Sequence, residues 1–196
     1  RDVFVAKISS NGSWQWAVGA GGTGWDHTEG IGKSISVDSN GDIIVTGMFW
    51  NNANFGSIYL TATGWIGTTV SQDIFVAKLN SSGSWQWAIN GGSNSSSGGE
   101  VVGGLVVDSI GNTLVIGHYT GDAIFGNTNL TSNNPWNSHL FVAKIGSVGS
   151  WEWAIDVGDS NSTMDITGHA ITTGSNGDIH VSGKFGRAMQ LGDTYL

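Results

Sequence analysis

Phe75-Val76-Ala77-Lys78, followed after six intervening residues by Trp85-Gln86-Trp87-Ala88, decides the fold, because the same wording stands in two other places. Phe4-Val5-Ala6-Lys7 precedes Trp14-Gln15-Trp16-Ala17, and Phe141-Val142-Ala143-Lys144 precedes Trp151-Glu152-Trp153-Ala154. Trp14 to Trp85 is 71 residues and Trp85 to Trp151 is 66. Such a period is longer than a hairpin and shorter than a domain, and it marks a repeat array. A second phrase lies between the first ones: Ile35 to Gly47 aligns with Leu105 to Gly117 and with Ile171 to Gly183. A third, weaker one follows it as Phe55-Gly56 with Leu60, Phe125-Gly126 with Leu130, and Leu191-Gly192 with Leu196. The chain therefore reads as one array, with units at about 1–71, 72–138 and 139–196.

Within each unit, apolar and β-branched residues alternate over short runs that stop at Gly, Asn, Asp or Ser, the pattern of strands. Ile35 to Val37 and Ile43 to Val45 flank a Ser-Asn-Gly-Asp turn, and Phe75 to Leu79 and Trp85 to Ile89 flank Asn80-Ser81-Ser82-Gly83-Ser84. Asn and Gly tolerate the positive φ that tight hairpins need. Each unit thus holds two hairpins, whose strands are designated a, b, c and d. With 32 glycines and no sustained 3.6-residue period, helix is nearly excluded.

Four antiparallel strands per unit, repeated, predict an all-β chain of β-propeller blades. Blades bury both sheet faces, which accounts for the three consecutive apolar residues of Phe-Val-Ala-Lys. Two tryptophans spaced two apart on a strand are expected on one face, packed on the adjacent blade. The repeat lysines Lys7, Lys78 and Lys144 are expected to pack their stems and to reach solvent at the c–d turn.

These units resemble the bacterial and archaeal β-propeller repeat known as SBBP, over nearly the whole chain. Asp73-Ile74-Phe75-Val76-Ala77-Lys78, Val107-Asp108-Ser109-Ile110-Gly111-Asn112 and Phe125-Gly126-Asn127-Thr128-Asn129-Leu130 carry the resemblance. It implies the fold far more than a function, since the shared residues are turn and packing residues. The third unit departs at Gly174, where the others have Asp38 and Asp108.

Counted along the chain, the strands run c-d, then a-b-c-d twice, then a-b, three blades' worth in all. Propellers usually have four to eight blades. Two readings follow: a piece of a longer protein, or two copies joined as a six-bladed homodimer. The alternative fold is a threefold β-prism, in which three units close as three sheets.

Seven Lys and Arg against fifteen Asp and Glu leave a formal charge of −8, which argues against nucleic acid. There is no cysteine and no zinc ligand set. No run of eighteen apolar residues predicts membrane insertion. A surface rich in Ser, Thr, Asn and Gly, with 11% charged residues, points to an extracellular or cell-envelope location, as does the resemblance.

Chemistry is sparse. Asp26-His27-Thr28-Glu29 and the pair Asp165 and His169 are titratable clusters that a metal or acid–base reading would use, but hydrogen bonds to loop backbone explain them more simply. His118, His139 and His180 have no ligand spacing. Asp38-Ser39-Asn40-Gly41-Asp42 resembles the opening of a calcium loop but lacks a closing glutamate, and its counterparts lose the oxygen ligands. Turn formation accounts for all three copies, so no metal, cofactor or catalytic residue is assigned. The Asn129-Leu130-Thr131 and Asn161-Ser162-Thr163 sequons are expected by chance in an Asn-rich chain.

The tryptophans outside the repeat are the candidate ligand-binding residues: Trp25, Trp50, Trp65 and Trp136. All four fall in d–a or b–c connections, which share one end of the blades, and half of them or more are expected to staple a loop to the blade beneath. The others can stack on a carbohydrate or protein ligand, with Asn51, Asn52, Asn133, Asn134 and Asn137 beside them. The leading expectation is a non-enzymatic, secreted or cell-surface scaffold for interaction or adhesion. The alternatives are part of a propeller-fold glycoside hydrolase or lyase, and an envelope spacer.

Overall fold

A computed structural model describes residues 2–22, 31–63, 65–66, 69–70, 72–93, 99–132, 134, 136–157, 165–186 and 189–196. The first half-blade pairs β1 (Val3–Ile8) with β2 (Trp14–Ala20). The first complete blade has the spatial order a-b-c-d, from β3 (Ile31–Val37) through β4 (Ile43–Trp50) and β9 (Gln72–Leu79) to β10 (Trp85–Gly91). Between b and c lie two small hairpins, β5 (Asn52–Phe55) with β6 (Ile58–Thr61) and β7 (Trp65–Ile66) with β8 (Thr69–Val70). The second complete blade repeats the order with β11 (Gly99–Val107), β12 (Thr113–Thr120), β15 (His139–Ile145) and β16 (Trp151–Val157). Its b–c hairpin is β13 (Ala123–Phe125) with β14 (Thr128–Leu130). A second half-blade, β17 (Ile166–Thr173) with β18 (Ile179–Phe185), ends in the hairpin of β19 (Gln190–Leu191) and β20 (Thr194–Tyr195). All pairings are antiparallel, and the fold is that of an all-β propeller array. Face-to-face stacking of successive four-stranded sheets leaves no place for the β-prism.

The hydrophobic core consists of layers between neighbouring blades. Val3 and Val5 meet Val45, Phe49, Phe55 and Phe75 between the first half-blade and the first complete blade. Ile44, Ile74 and Val76, on the opposite face of that blade, meet Val115, Phe125 and Phe141 of the next. Ile116, Leu140 and Val142 then meet Ile166 of the last half-blade. Each inner strand is therefore buried on both faces, as the run of apolar residues in Phe-Val-Ala-Lys predicts. Burying one such side chain stabilises by about 1.5–3 kcal/mol.

The expectation for the tryptophan pairs is corrected by a β-bulge. Trp85 faces Leu79 and Trp87 faces Lys78, so two residues of β10 span a single step of β9. The extra residue inverts the alternation, and the two rings leave the sheet on opposite faces. Trp85 packs edge-on against Phe55 at 5.0 Å on one side. Trp87 joins the layer toward the following blade, against Gly149 of that blade's c–d turn. Trp16 does the same to Gly83, and its indole Nε1 donates to Ser81 O at 3.2 Å. A Cβ on Gly149 would lie 2.5 Å from Trp87, so both the positive φ of 83° and the close approach require glycine there. Each blade thus grips the next by a tryptophan seated on a turn. Further along, Gly21 bridges Asn54 and Gly92 bridges Ile124, stitching the ends of β2 and β10 to the following blade's b–c hairpin.

The a–b turns are built as expected. Asp38 Oδ1 accepts from the amides of Asn40 (2.9 Å) and Asp42 (3.0 Å), and Asp108 repeats this with Ile110 and Asn112. The lysine expectation needs revision, because Lys78 Nζ does not run to solvent but bonds Asp38 (2.9 Å) and Asp42 (3.1 Å) across the a–b turn. Lys144 instead pairs with Glu152 at 3.1 Å. Burial works to raise the Asp38 carboxyl, yet the Lys78 ammonium and the two turn amides together hold it below its ordinary value. Lys78→Met is expected to lower stability by about 2 kcal/mol, the scale of a hydrogen bond to a charged group. A urea midpoint unchanged from wild type would show that the pair contributes nothing.

Candidate functional site

Because the strands alternate in direction, the a–b and c–d turns share one end of the blades, and the b–c and d–a connections share the other. Trp50, Trp65 and Trp136 all belong to that second end; Trp25 lies outside the described residues. They are not equivalent. Trp50 closes β4 half-buried and lines, with Val3, Gly21 and Phe75, a small cavity at the seam between two blades. The backbone of Trp65 pairs with Val70, while its side chain is outside the described set. Trp136 is 81% exposed.

The loop carrying Trp136 is held firmly. Its own amide donates to Asn134 Oδ1 (3.2 Å), and the amide of Asn134 donates to Ser132 Oγ (3.0 Å). Ser132 Oγ donates to Asn134 O (2.8 Å) and lies 2.7 Å from His139 Nε2, while its amide donates to Asp122 Oδ1 (3.1 Å). At the far side, the Ser138 amide donates to Asp165 Oδ1 of the last half-blade (3.0 Å). Ser132 and Ser138 thus tie this connection at either side of the exposed Trp136 indole. Asn51 is committed to the backbone: it takes a left-handed φ of 60° where the next blade has Gly121 at 72°, turning the chain from b into its hairpin.

Beneath this end lie titratable groups that the repeat itself locates. Asp73, two residues before Phe75, is fully buried and accepts from Asn90 Nδ2 (2.8 Å) and the Thr63 amide (3.0 Å). Burial pushes its carboxyl up to about 6 against those hydrogen bonds. His139 stands at the same repeat position in the next blade and fastens Ser132 as Asp73 fastens Thr63. Glu100, also fully enclosed, is raised well above the carboxylate range by burial and by the neighbouring Asp73 charge. Both acids are closed off from solvent, and among the described residues neither Glu100 carboxylate oxygen has a hydrogen-bond partner.

The innermost strands share a feature missed from the sequence. All three a strands bulge at the same repeat position, between Gly32 and Ser34, Val102 and Gly104, and Gly168 and Ala170. The bulged residues are Lys33, Gly103 and His169. Bulges re-aim a side chain, and Lys33 and His169 emerge exposed. The recurrent glycine beside each position is the signal that could have found them. Burial, followed by the nearby charge of His169, lowers the His118 imidazole below its ordinary value, with Asp165 opposing and Lys33 adding. Asp165 and His169 do not act as a couple: Asp165 accepts from Ser138, and His169 Nε2 lies 3.1 Å from Thr167 Oγ1. The Asp26 to Glu29 cluster lies outside the described residues. His180 is exposed on β18.

Among the described residues no group of three His, Asp or Glu is placed to hold a metal ion, and no helix is long and apolar enough to cross a membrane. No family model matches the chain. The chain is similar to the uncharacterized WD repeat-containing protein L264 of Acanthamoeba polyphaga mimivirus, at 24% identity over 212 residues. The match covers 95% of this chain and 14% of that relative, so the chain spans about one seventh of its length. Similarity to a WD-repeat protein agrees with the β-propeller architecture.

Proposed function

We propose that this chain is a non-enzymatic propeller scaffold, secreted or displayed at the cell surface, that binds a polysaccharide or protein partner at the b–c end of its blades. One observation carries the reading: Trp136 is exposed on a connection anchored to two blades. Stacking on such a ring needs little ordering of the loop, which favours affinity. The wording of the repeats supports kinship with the SBBP family of propeller repeats, and the small charge content supports an extracellular place. Trp136→Ala is expected to weaken binding at least tenfold on a polysaccharide and protein array while leaving the melting temperature within a degree or two. Equal binding by wild type and variant would sink the role of this ring.

A further inference from the structure

Two acids meet at the seam between the two complete blades. Asp73 stands on β9 of the first and Glu100 on β11 of the second, and both are fully enclosed. β11 packs against β4 and β9, and Gln72 Nε2 donates to Glu100 O at 2.5 Å, which fixes the two strands to each other one residue from Asp73. Side chains two apart on a strand share a face. Val102 lies in the core layer with Met48 and Ile74 of the first blade, so Glu100 points into the same seam, where the charge of Asp73 acts on it.

The fold does not require an acid at this place. The repeat sets Glu100 level with Gly30 and Ile166, and Ile166 fills the next seam at 3% exposure. Matched across the three seams are Asp2 with Gly30, Asp73 with Glu100, and His139 with Ile166, so the middle pair is the one with two carboxylates. A buried charge is costly unless it is paired or bound to a metal. Asp73 has partners, since its Oδ2 accepts from Asn90 Nδ2 (2.8 Å) and the Thr63 amide (3.0 Å), donors that favour the charged form. Among the described residues its Oδ1 accepts only a long bond of 3.4 Å from Thr63 Oγ1. Glu100 is the exception. The amides of Ser93 and of Glu100 itself favour its charged form, yet neither Oε1 nor Oε2 meets a donor in hydrogen-bond geometry.

We propose that Asp73 and Glu100 together hold a divalent cation of the calcium class between the first and second complete blades. Two carboxylates match the charge of one such ion, and two open oxygens on Glu100 suit the bidentate carboxylate that calcium accepts beside backbone carbonyls. Magnesium demands a stricter octahedron and gives up its water reluctantly, which an enclosed seam disfavours. The oxygen-only character of the pair sets it apart from zinc sites, which draw on Cys and His. The a–b turn is no rival, because Asp38 is committed to Lys78 and to two turn amides. The raised carboxyls described above belong to the metal-free chain. This site is independent of what the Trp136 end binds.

Calcium chloride titrated calorimetrically into the full chain, stripped with chelator and returned to neutral buffer, is expected to bind at one ion per chain and to raise the melting temperature. Magnesium at the same concentration should not. Glu100→Gln is expected to weaken calcium by more than about tenfold, since even the supporting residues of metal sites command that much. Its urea midpoint in chelator should be no lower than that of wild type, because the lost carboxylate has no partner. Glu100→Ile, carrying the side chain that fills this position in the last unit, is the second variant and should fold in chelator without a calcium response. Asp42→Asn, at the a–b turn, should bind calcium as wild type does. A wild-type chain indifferent to calcium would show that protons neutralise the pair and would overturn the site. A calcium response that survives both Glu100 variants, or that disappears with Asp42→Asn, would overturn it equally by placing the ion elsewhere.

Discussion

Phe75→Ala is expected to lower the free energy of unfolding by about 3–5 kcal/mol, the range for deleting a fully buried phenylalanine. Phe75 is completely enclosed, with Phe55 at 5.0 Å and Phe49 at 6.5 Å. Blade packing on both sides of β9 prevents the site from collapsing, so the cavity persists. For a chain of this size the melting temperature should fall by about 10 °C. Phe4→Ala, made at the same repeat position, supplies the control. Its ring is 77% exposed, and the cost should stay within about 0.5 kcal/mol. Urea titration of both variants measures the contrast. Equal losses would mean that the repeat position, and not its burial, governs stability.

The second large effect is a pH dependence of opposite sign to the usual acid denaturation. Asp73 titrates at about 6 in the folded chain against 3.8 for the free side chain, so the native state binds the proton more tightly than the unfolded state. Its contribution to stability is therefore fully present below about pH 4 and is lost as pH rises through 6. The two-unit difference corresponds to about 3 kcal/mol. Glu100, raised by burial and by the Asp73 charge, acts with the same sign. Asp73→Asn keeps an oxygen acceptor for the Thr63 amide and is expected to flatten the fall in stability between pH 4 and 6. Thermal melts across that window for both proteins test it. Identical slopes would remove Asp73 as the source.

The lysines and tryptophans show where one-dimensional reading reaches its limit. Lys78 and its partner Asp38 are 40 residues apart, and the pair exists because b and c lie side by side in one sheet. The same lysine position in the next blade pairs with Glu152, while Asn112, at the place of Asp42, donates its Nδ2 to Asp108. Trp85 and Trp87 separate to opposite faces through a bulge whose one-residue step has no mark in the Trp-x-Trp wording. Of the four unshared tryptophans, sequence placed all in connections at one end, but burial at the blade seam distinguishes Trp50 from the exposed Trp136.

The repeat wording by itself determined the strand order, the turn positions, the two-faced burial of the inner strands and the half-blade at either end. These follow from local chemistry: β-branched alternation, Asx and glycine turns, and apolar runs with no room for a polar face. Only the tertiary structure decided which aromatic rings are buried, how a bulge divides each tryptophan pair, where the a-strand bulges aim Lys33 and His169, and why the same phenylalanine is enclosed in two repeats and open in the first. Those outcomes depend on what the neighbouring blade supplies. No single repeat encodes its neighbour.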